Sequence, residues 1–188
     1  MVEGAVAHYQ ATGKRNFLNI AIKYADCVCR EIGNGPQQKR LVPGHQIAEM
    51  ALVKLYLVTG DKKYLDQAQK VYNFIFNNKN LPEDLVPYWD YDAPNIPNEP
   101  RDASAAACTA SALYELDGYR PGNHYKEIAD KIMESLGSPA YRAEVGTNGN
   151  FILMHSVGSI PHGQEIDVPL NYADSVSYTH LTLPTKLE

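Results

Sequence analysis

The chain is 188 residues long, 44% hydrophobic and 21% charged, with a formal net charge of -5. That is the composition of a globular domain, and the acidic balance with no basic run excludes a nucleic-acid partner and an anionic membrane surface. Three cysteines cannot all pair, which excludes a disulfide framework, and the apolar run Met50-Ala51-Leu52-Val53 stops at Lys54, far short of the roughly 20 residues a membrane span needs. Met1-Val2-Glu3-Gly4 has neither the basic start nor the apolar core of a signal peptide, so the expected location is cytoplasmic.

Internal repetition organises the first two thirds. Residues 7–21 align without a gap on residues 54–68, matching Tyr9 to Tyr56, Thr12-Gly13 to Thr59-Gly60, Phe17-Leu18 to Tyr64-Leu65 and Ala21 to Ala68. A looser third copy runs from Leu113-Tyr114-Glu115-Leu116, across a break at Pro121-Gly122, into Tyr125–Lys131. Each copy reads as a helical hairpin. Leu52, Leu55, Tyr56 and then Tyr64, Ala68, Val71, Ile75 have the 3-and-4 spacing of one helix face. Gly60 suits the left-handed position that ends a helix, and Asp61 suits the cap of the next. The first helices, around 2–11, 45–58 and 103–117, are Ala-rich, as close helix contact requires. The second, around 15–32, 62–77 and 124–136, carry an amphipathic stripe. The expected fold is all-α, a solenoid or toroid of about three hairpins.

Two irregular connections follow. Residues 80–101 hold Pro82, Pro87, Pro94, Pro97 and Pro100, so no helix can run there. Tyr88-Trp89-Asp90-Tyr91-Asp92 lies in the same stretch. Aromatic and acidic residues in such a connector line a sugar-binding mouth, or equally pack a surface loop. Within residues 145–170, Phe151-Ile152-Leu153-Met154 reads as a short strand.

Candidate chemistry is sparse. Cys27 and Cys29 stand two apart on a helix and point away from each other, so no metal pair is expected, and Cys108 reads as a small core residue. His45 and Glu49 share a face by i,i+4 spacing, which fits a surface hydrogen bond better than a two-ligand site. Asp90, Asp92, Glu99 and Asp102 cluster in one connector, and glycoside hydrolysis uses two carboxylates held about 5–10 Å apart. Arg101-Asp102 reads instead as an internal ion pair, with Asp102 as the N-cap of the next helix. Ser156-Val157-Gly158-Ser159, beside His155 and His162, offers hydroxyls and amides for an anion. No nucleophile elbow, phosphate loop or dinucleotide fingerprint is present.

From about Tyr64 to Asp174 the chain resembles the C-terminal part of the unsaturated glucuronyl hydrolases, glycoside hydrolase family 88. The resemblance rests on Val86-Pro87-Tyr88-Trp89-Asp90-Tyr91-Asp92-Ala93-Pro94, Pro97–Ala106, Phe151–Ser159 and Glu165–Asp174. Residues 1–60 are more similar to the β-L-arabinofuranosidases of family 127, through Glu3–Tyr9, Ala21–Asp26 and Pro43–Leu52. The changeover falls at Thr59–Ala68, a segment both families share. Residues 175–188 resemble neither and read as an adapter-like tail. The resulting expectation is a chimeric fragment with one partial (α/α)6 toroid domain over 1–174.

The resemblance implies a reaction in which an aspartic acid protonates the C4=C5 bond of an unsaturated uronic acid, water adds at C5, and the hemiketal collapses. The resemblance to the arabinofuranosidases implies a cysteine nucleophile with zinc, but far C-terminal to the matched part, and Cys27 and Cys29 do not correspond to it, so no cofactor and no metal are expected in this chain. The glucuronyl hydrolases' catalytic aspartates have no counterpart in the matched residues, so no catalytic residue is assigned and the chain is expected to be inactive alone. The expected substrate contacts are Trp89, Ser156 and Ser159. Some members grip sulfate through Ser-x-x-Ser-x-Lys, but here Pro161 stands at the lysine position. The expected partner is an unsaturated uronic-acid oligosaccharide, with self-association through uncovered apolar helix faces. The competing expectation is a free-standing α-solenoid that binds a protein partner, for which residues 1–11 lack the polar capping face.

Overall fold

A computed structural model describes residues 1–33, 35–39 and 48–182, with side chains described at 1–33, 35–39 and 50–176. Contacts cluster into two units, Met1–Phe76 and Asn77–Glu188. For the six expected helices, every described boundary except the start of the third lies within two residues of its expected position, and a seventh helix, Asn171–Thr182, runs into the stretch expected as a tail. The expected start at 45, like His45 itself and the tail beyond 182, lies outside the described residues.

The first unit contains α1 (Val2–Thr12), α2 (Asn16–Glu31), α3 (Ala48–Thr59) and α4 (Lys62–Phe76). Helices α1 and α2 form one hairpin and α3 and α4 another, with α1 against α3 and α2 against α4. The repeat seen in sequence is one of hydrogen bonds as well. Thr12 Oγ1 donates to His8 O at 2.6 Å and accepts from Lys14 N–H at 3.2 Å, while Gly13, at φ 68°, donates to Tyr9 O. Thr59 Oγ1 donates to Leu55 O at 2.7 Å and accepts from Asp61 N–H at 3.3 Å, while Gly60, at φ 71°, donates to Tyr56 O. Both turns need the left-handed backbone that glycine adopts without a Cβ penalty. Asp61 Oδ1 accepts Lys63 N–H at 3.1 Å, the expected cap.

Apolar residues face the interior at equivalent places. Leu18 and Ala21 of α2, and Leu65 and Ala68 of α4, are all buried. Between helices, Tyr64 Oη donates to Asp26 Oδ1 at 2.8 Å, and the same oxygen lies 2.8 Å from Lys63 Nζ. Burial and the neighbouring Asp26 carboxylate push the Tyr64 phenol up to about 12. Burial acts to raise Asp26, but the hydrogen bonds from Lys63 and Tyr64 prevail and hold it below the ordinary carboxylate range.

The second unit contains α5 (Ala103–Tyr119), α6 (Tyr125–Gly137), β1 (Ser156–Ser159), β2 (Gln164–Val168) and α7 (Asn171–Thr182). Helix α5 is central, packed against α6, α7 and β1. Ala103, Ser104, Ala105, Ala106 and Ala107 are buried in succession, which one helix face cannot do, so the start of α5 is enclosed all round. Only small side chains let neighbours approach that closely. Tyr125 and Ala129 on α6 are buried with the same i,i+4 spacing as Tyr64 and Ala68 on α4, so the third copy of the repeat is also a hairpin.

Strands β1 and β2 pair antiparallel, Val157 opposite Ile166 and Ser159 opposite Gln164, with a bulge between Ser156 and Val157. The strand expected at Phe151–Met154 is not formed. The N–H groups of Ile152 and Leu153 donate to the two oxygens of Asp174 at 2.8 and 2.9 Å, leaving one isolated bridge between Arg142 and Leu153. A side-chain carboxylate has taken the donors a sheet ladder needs. No described helix is long and apolar enough to cross a membrane. The described residues are thus mostly helical, as the all-α expectation has it, with one small sheet added.

Candidate functional site

The site is built in the second unit from the proline-rich connector, the start of α5 and the β1–β2 hairpin. The connector runs as successive turns because its prolines deny it helix donors. Asp84 Oδ1 accepts Val86 N–H and Asp90 Oδ1 accepts Asp92 N–H, each a side-chain turn that costs no tertiary partner. Trp89, the sole tryptophan, is half-buried, and its indole N–H donates to Glu99 Oε2 at 2.8 Å. The other Glu99 oxygen accepts Asn95 N–H at 2.9 Å. These two donors, Trp89 first, hold the Glu99 carboxyl below the usual range. Glu99 is therefore committed to orienting Trp89.

Arg101 closes the connector. Its Nε and Nη2 donate to Val86 O at 2.9 and 2.6 Å, Nη2 is ion-paired with Asp84, and the guanidinium lies 5.0 Å from the Tyr88 ring centre and 5.9 Å from that of Tyr141. Tyr141 Oη donates to Asp84 Oδ2 at 2.8 Å. The expected ion pair between Arg101 and Asp102 is therefore corrected to one between Arg101 and Asp84. Asp102 has extended backbone, and successive side chains on an extended chain point to opposite sides.

Asp102 does cap α5, as expected. Its Oδ1 accepts from Ser104 N–H at 3.0 Å, Ser104 Oγ at 2.6 Å and Ala105 N–H at 3.3 Å, and also from Val157 N–H on β1 at 3.4 Å. Burial pushes the Asp102 carboxyl above its ordinary value, with these hydrogen bonds opposing the shift.

The two serines differ in surroundings. Ser156 is fully buried, and its Oγ has no hydrogen-bond partner. Ser159 is half-buried, with Oγ 2.7 Å from His162 Nδ1. His155 Nδ1 lies 2.6 Å from Asp167 Oδ1. Gly158 has a steric reason: a Cβ there would sit 2.0 Å from Glu165 Oε2 and 2.8 Å from Glu165 Cβ, because that side chain crosses over the strand. Tyr172 is exposed at the start of α7, and burial and then the Asp102 and Glu165 charges raise its phenol.

Trp89, Ser156 and Ser159 are thus carried on segments that both attach to residues 100–103. Of the four acids named from sequence, Asp90 makes a turn, Glu99 holds Trp89, Asp102 caps α5, and Asp92 lies exposed. Cys27 is exposed and Cys29 and Cys108 are half-buried, and none of the three is in a disulfide. Among the described residues no group of three or more His, Cys, Asp or Glu is arranged to hold a metal ion. The roles of Asp84 and Tyr141 are not legible in the sequence, since their partners lie on other segments.

Comparison with known proteins bears out both resemblances. The chain is 45% identical over 119 residues to an unsaturated glucuronyl hydrolase from Formosa agariphila, a match covering 63% of this chain and 30% of that protein. A crystal structure of an unsaturated glucuronyl hydrolase specific for heparin matches 96% of this chain and 57% of its own, with TM-score 0.84 and 29% identity. A GH127 β-arabinofuranosidase structure matches 77% of this chain and 22% of its own, with TM-score 0.59 and 50% identity. The chain therefore spans less than two thirds of the relatives it matches. Residues 1–118 match the model of the β-L-arabinofuranosidase GH127 catalytic domain, past the changeover expected near residue 60 and over more than half the chain, and the protein belongs to that glycoside hydrolase family.

Proposed function

We propose that the second unit binds the non-reducing end of 4,5-unsaturated uronic-acid oligosaccharides, as the substrate-gripping part of a glucuronyl hydrolase whose acid chemistry lies outside these residues. Trp89 offers an indole held in place by Glu99 for stacking on a sugar face. The Ser156–Ser159 strand offers hydroxyls and amides near the uronate. With Pro161 at the lysine position and His162 beside Ser159, sulfate is not demanded. The observation that carries this reading is the attachment of the tryptophan connector and the serine strand to one segment, residues 100–103.

Trp89 being the sole tryptophan, its fluorescence reports on this site directly. Titration with a 4,5-unsaturated glucuronyl disaccharide is expected to change that emission saturably, while the double-bond absorbance persists. An unchanged emission overturns the binding assignment. Loss of absorbance at about 1 s⁻¹ or faster overturns the claim that the chain is inactive alone. The proposed self-association involves α2, where Ile20 and Tyr24, one turn apart, are 58% and 55% exposed. Sedimentation is expected to show a concentration-dependent dimer that Tyr24→Lys abolishes, and a monomer throughout overturns it.

A further inference from the structure

Segment 100–103 contributes no side chain to the proposed substrate contacts, yet both halves of the candidate site hang on it. On one side Trp89 N–H donates to Pro100 O at 3.1 Å and Asp102 N–H to Pro87 O at 2.8 Å. On the other, Ala103 N–H donates to His155 O at 2.9 Å, and Val157 N–H reaches Asp102 Oδ1 at 3.4 Å. Ser156 lies between these two anchored residues, buried and with its hydroxyl unpartnered.

Three of the four anchors are backbone to backbone and persist with any residue but proline at 102. The fourth depends on the carboxylate. Capping α5 requires only the bonds to Ser104 and Ala105, so the contact with Val157 has no part in capping. It falls beside the bulge between Ser156 and Val157, where pairing with β2 is already interrupted and a bulged strand is free to bend.

We propose that Asp102 is a positioning residue: its carboxylate, shared between the first turn of α5 and the Val157 amide, sets the Ser156–Ser159 strand against the Trp89 connector for uronate binding. The binding clause rests on the function proposed above, whereas the mechanical clause does not. Neither oxygen of Asp102 needs to touch the sugar. The carboxylate instead aligns the strand whose hydroxyls do.

Asp102→Ser separates the two roles, because a serine caps the helix but is too short to reach Val157. Asp102→Asn keeps an oxygen acceptor at full length. Amide hydrogen exchange on the full chain is expected to show Val157 and Ser159 about tenfold faster in D102S, with α6 and the first unit unchanged, and near-normal protection in D102N. Tenfold corresponds to about 1.4 kcal/mol, the scale of one hydrogen bond. Unchanged exchange at Val157 in D102S, or acceleration spread equally through α6, overturns the proposal. In the disaccharide titration D102S is expected to bind at least about fivefold more weakly and D102N within about twofold of the parent chain. Equal affinity in D102S overturns the link to binding. If the unsubstituted chain itself binds no disaccharide, the functional reading fails and the exchange pattern alone decides the role of Asp102.

Discussion

The two units obtain order in different ways, and backbone geometry shows it. Among the described residues of Met1–Phe76, every positive φ belongs to a glycine, at Gly13, Gly33 and Gly60. In the second unit Leu85, His124, Asn148, Asn150, His155, Glu165 and Asp167 also adopt positive φ. Such residues persist where surrounding contacts over-determine the backbone, at about 1–3 kcal/mol each. Three of them, His155, Glu165 and Asp167, flank or form the serine hairpin. A repeated hairpin is satisfied by local rules applied twice. The candidate site instead imposes conformations that only its tertiary contacts sustain.

That contrast is most directly broken by core truncation. Leu18→Ala and Leu65→Ala, at equivalent repeat positions and both buried, are expected to cost about 2–5 kcal/mol each and to match within about 1 kcal/mol in chemical denaturation. A large inequality would show that the two hairpins are equivalent in pattern but not in packing. In the second unit, Arg101→Met removes the partner of Asp84 and two donors to Val86 O, for about 2–3 kcal/mol. The same substitution is expected to loosen exchange around Tyr141 and to leave the first unit untouched. Gly158→Ala, driving a methyl into Glu165, is expected to cost about 1–3 kcal/mol, and Glu165→Ala in the same chain to recover most of it.

Titration sharpens the comparison further. Asp102 has its folded-state pKa raised by burial, so the fold favours its neutral form. That contribution is fully present below the ordinary carboxylate pKa and is lost as pH rises through the raised value. Asp102→Asn, neutral at every pH, carries no such loss. Its stability relative to the parent chain is expected to improve as pH rises above the ordinary aspartate value of about 4, with Glu165 and Tyr172 as the nearby ionisable groups. A relative decline over that rise would mean that the ionised cap is favoured after all. The smallest effects are expected at the turns. Thr12→Val and Thr59→Val should each cost about 0.5–1 kcal/mol and add within about 0.5 kcal/mol, since each hydroxyl serves only its own hairpin.

Much of this was legible before any coordinates. The Thr-Gly turns, the Tyr-to-Ala spacing of the second helices and the Ala-rich first helices specify hairpins through interactions within a few residues. Asp102 as a cap was legible for the same reason, its donors being two and three residues away. At Phe151–Met154 apolar content marks strand tendency but says nothing of which group takes the amides. Asp174 took them, from a position over twenty residues downstream. Arg101 pairs with Asp84 and not with its neighbour Asp102, a choice that adjacency in the chain does not reveal.

The amino-acid order alone determined the all-α class, the number and limits of the described hairpins, and the family resemblances. Helix period, turn chemistry and motif identity are all properties of short stretches. Only the tertiary structure decided which carboxylates are occupied and which serine hydroxyl is buried without a partner. It also decided that residues 100–103 hold the tryptophan connector and the serine strand together. Those outcomes depend on donors and acceptors meeting across long separations in the chain, where spacing along the sequence no longer measures distance in space.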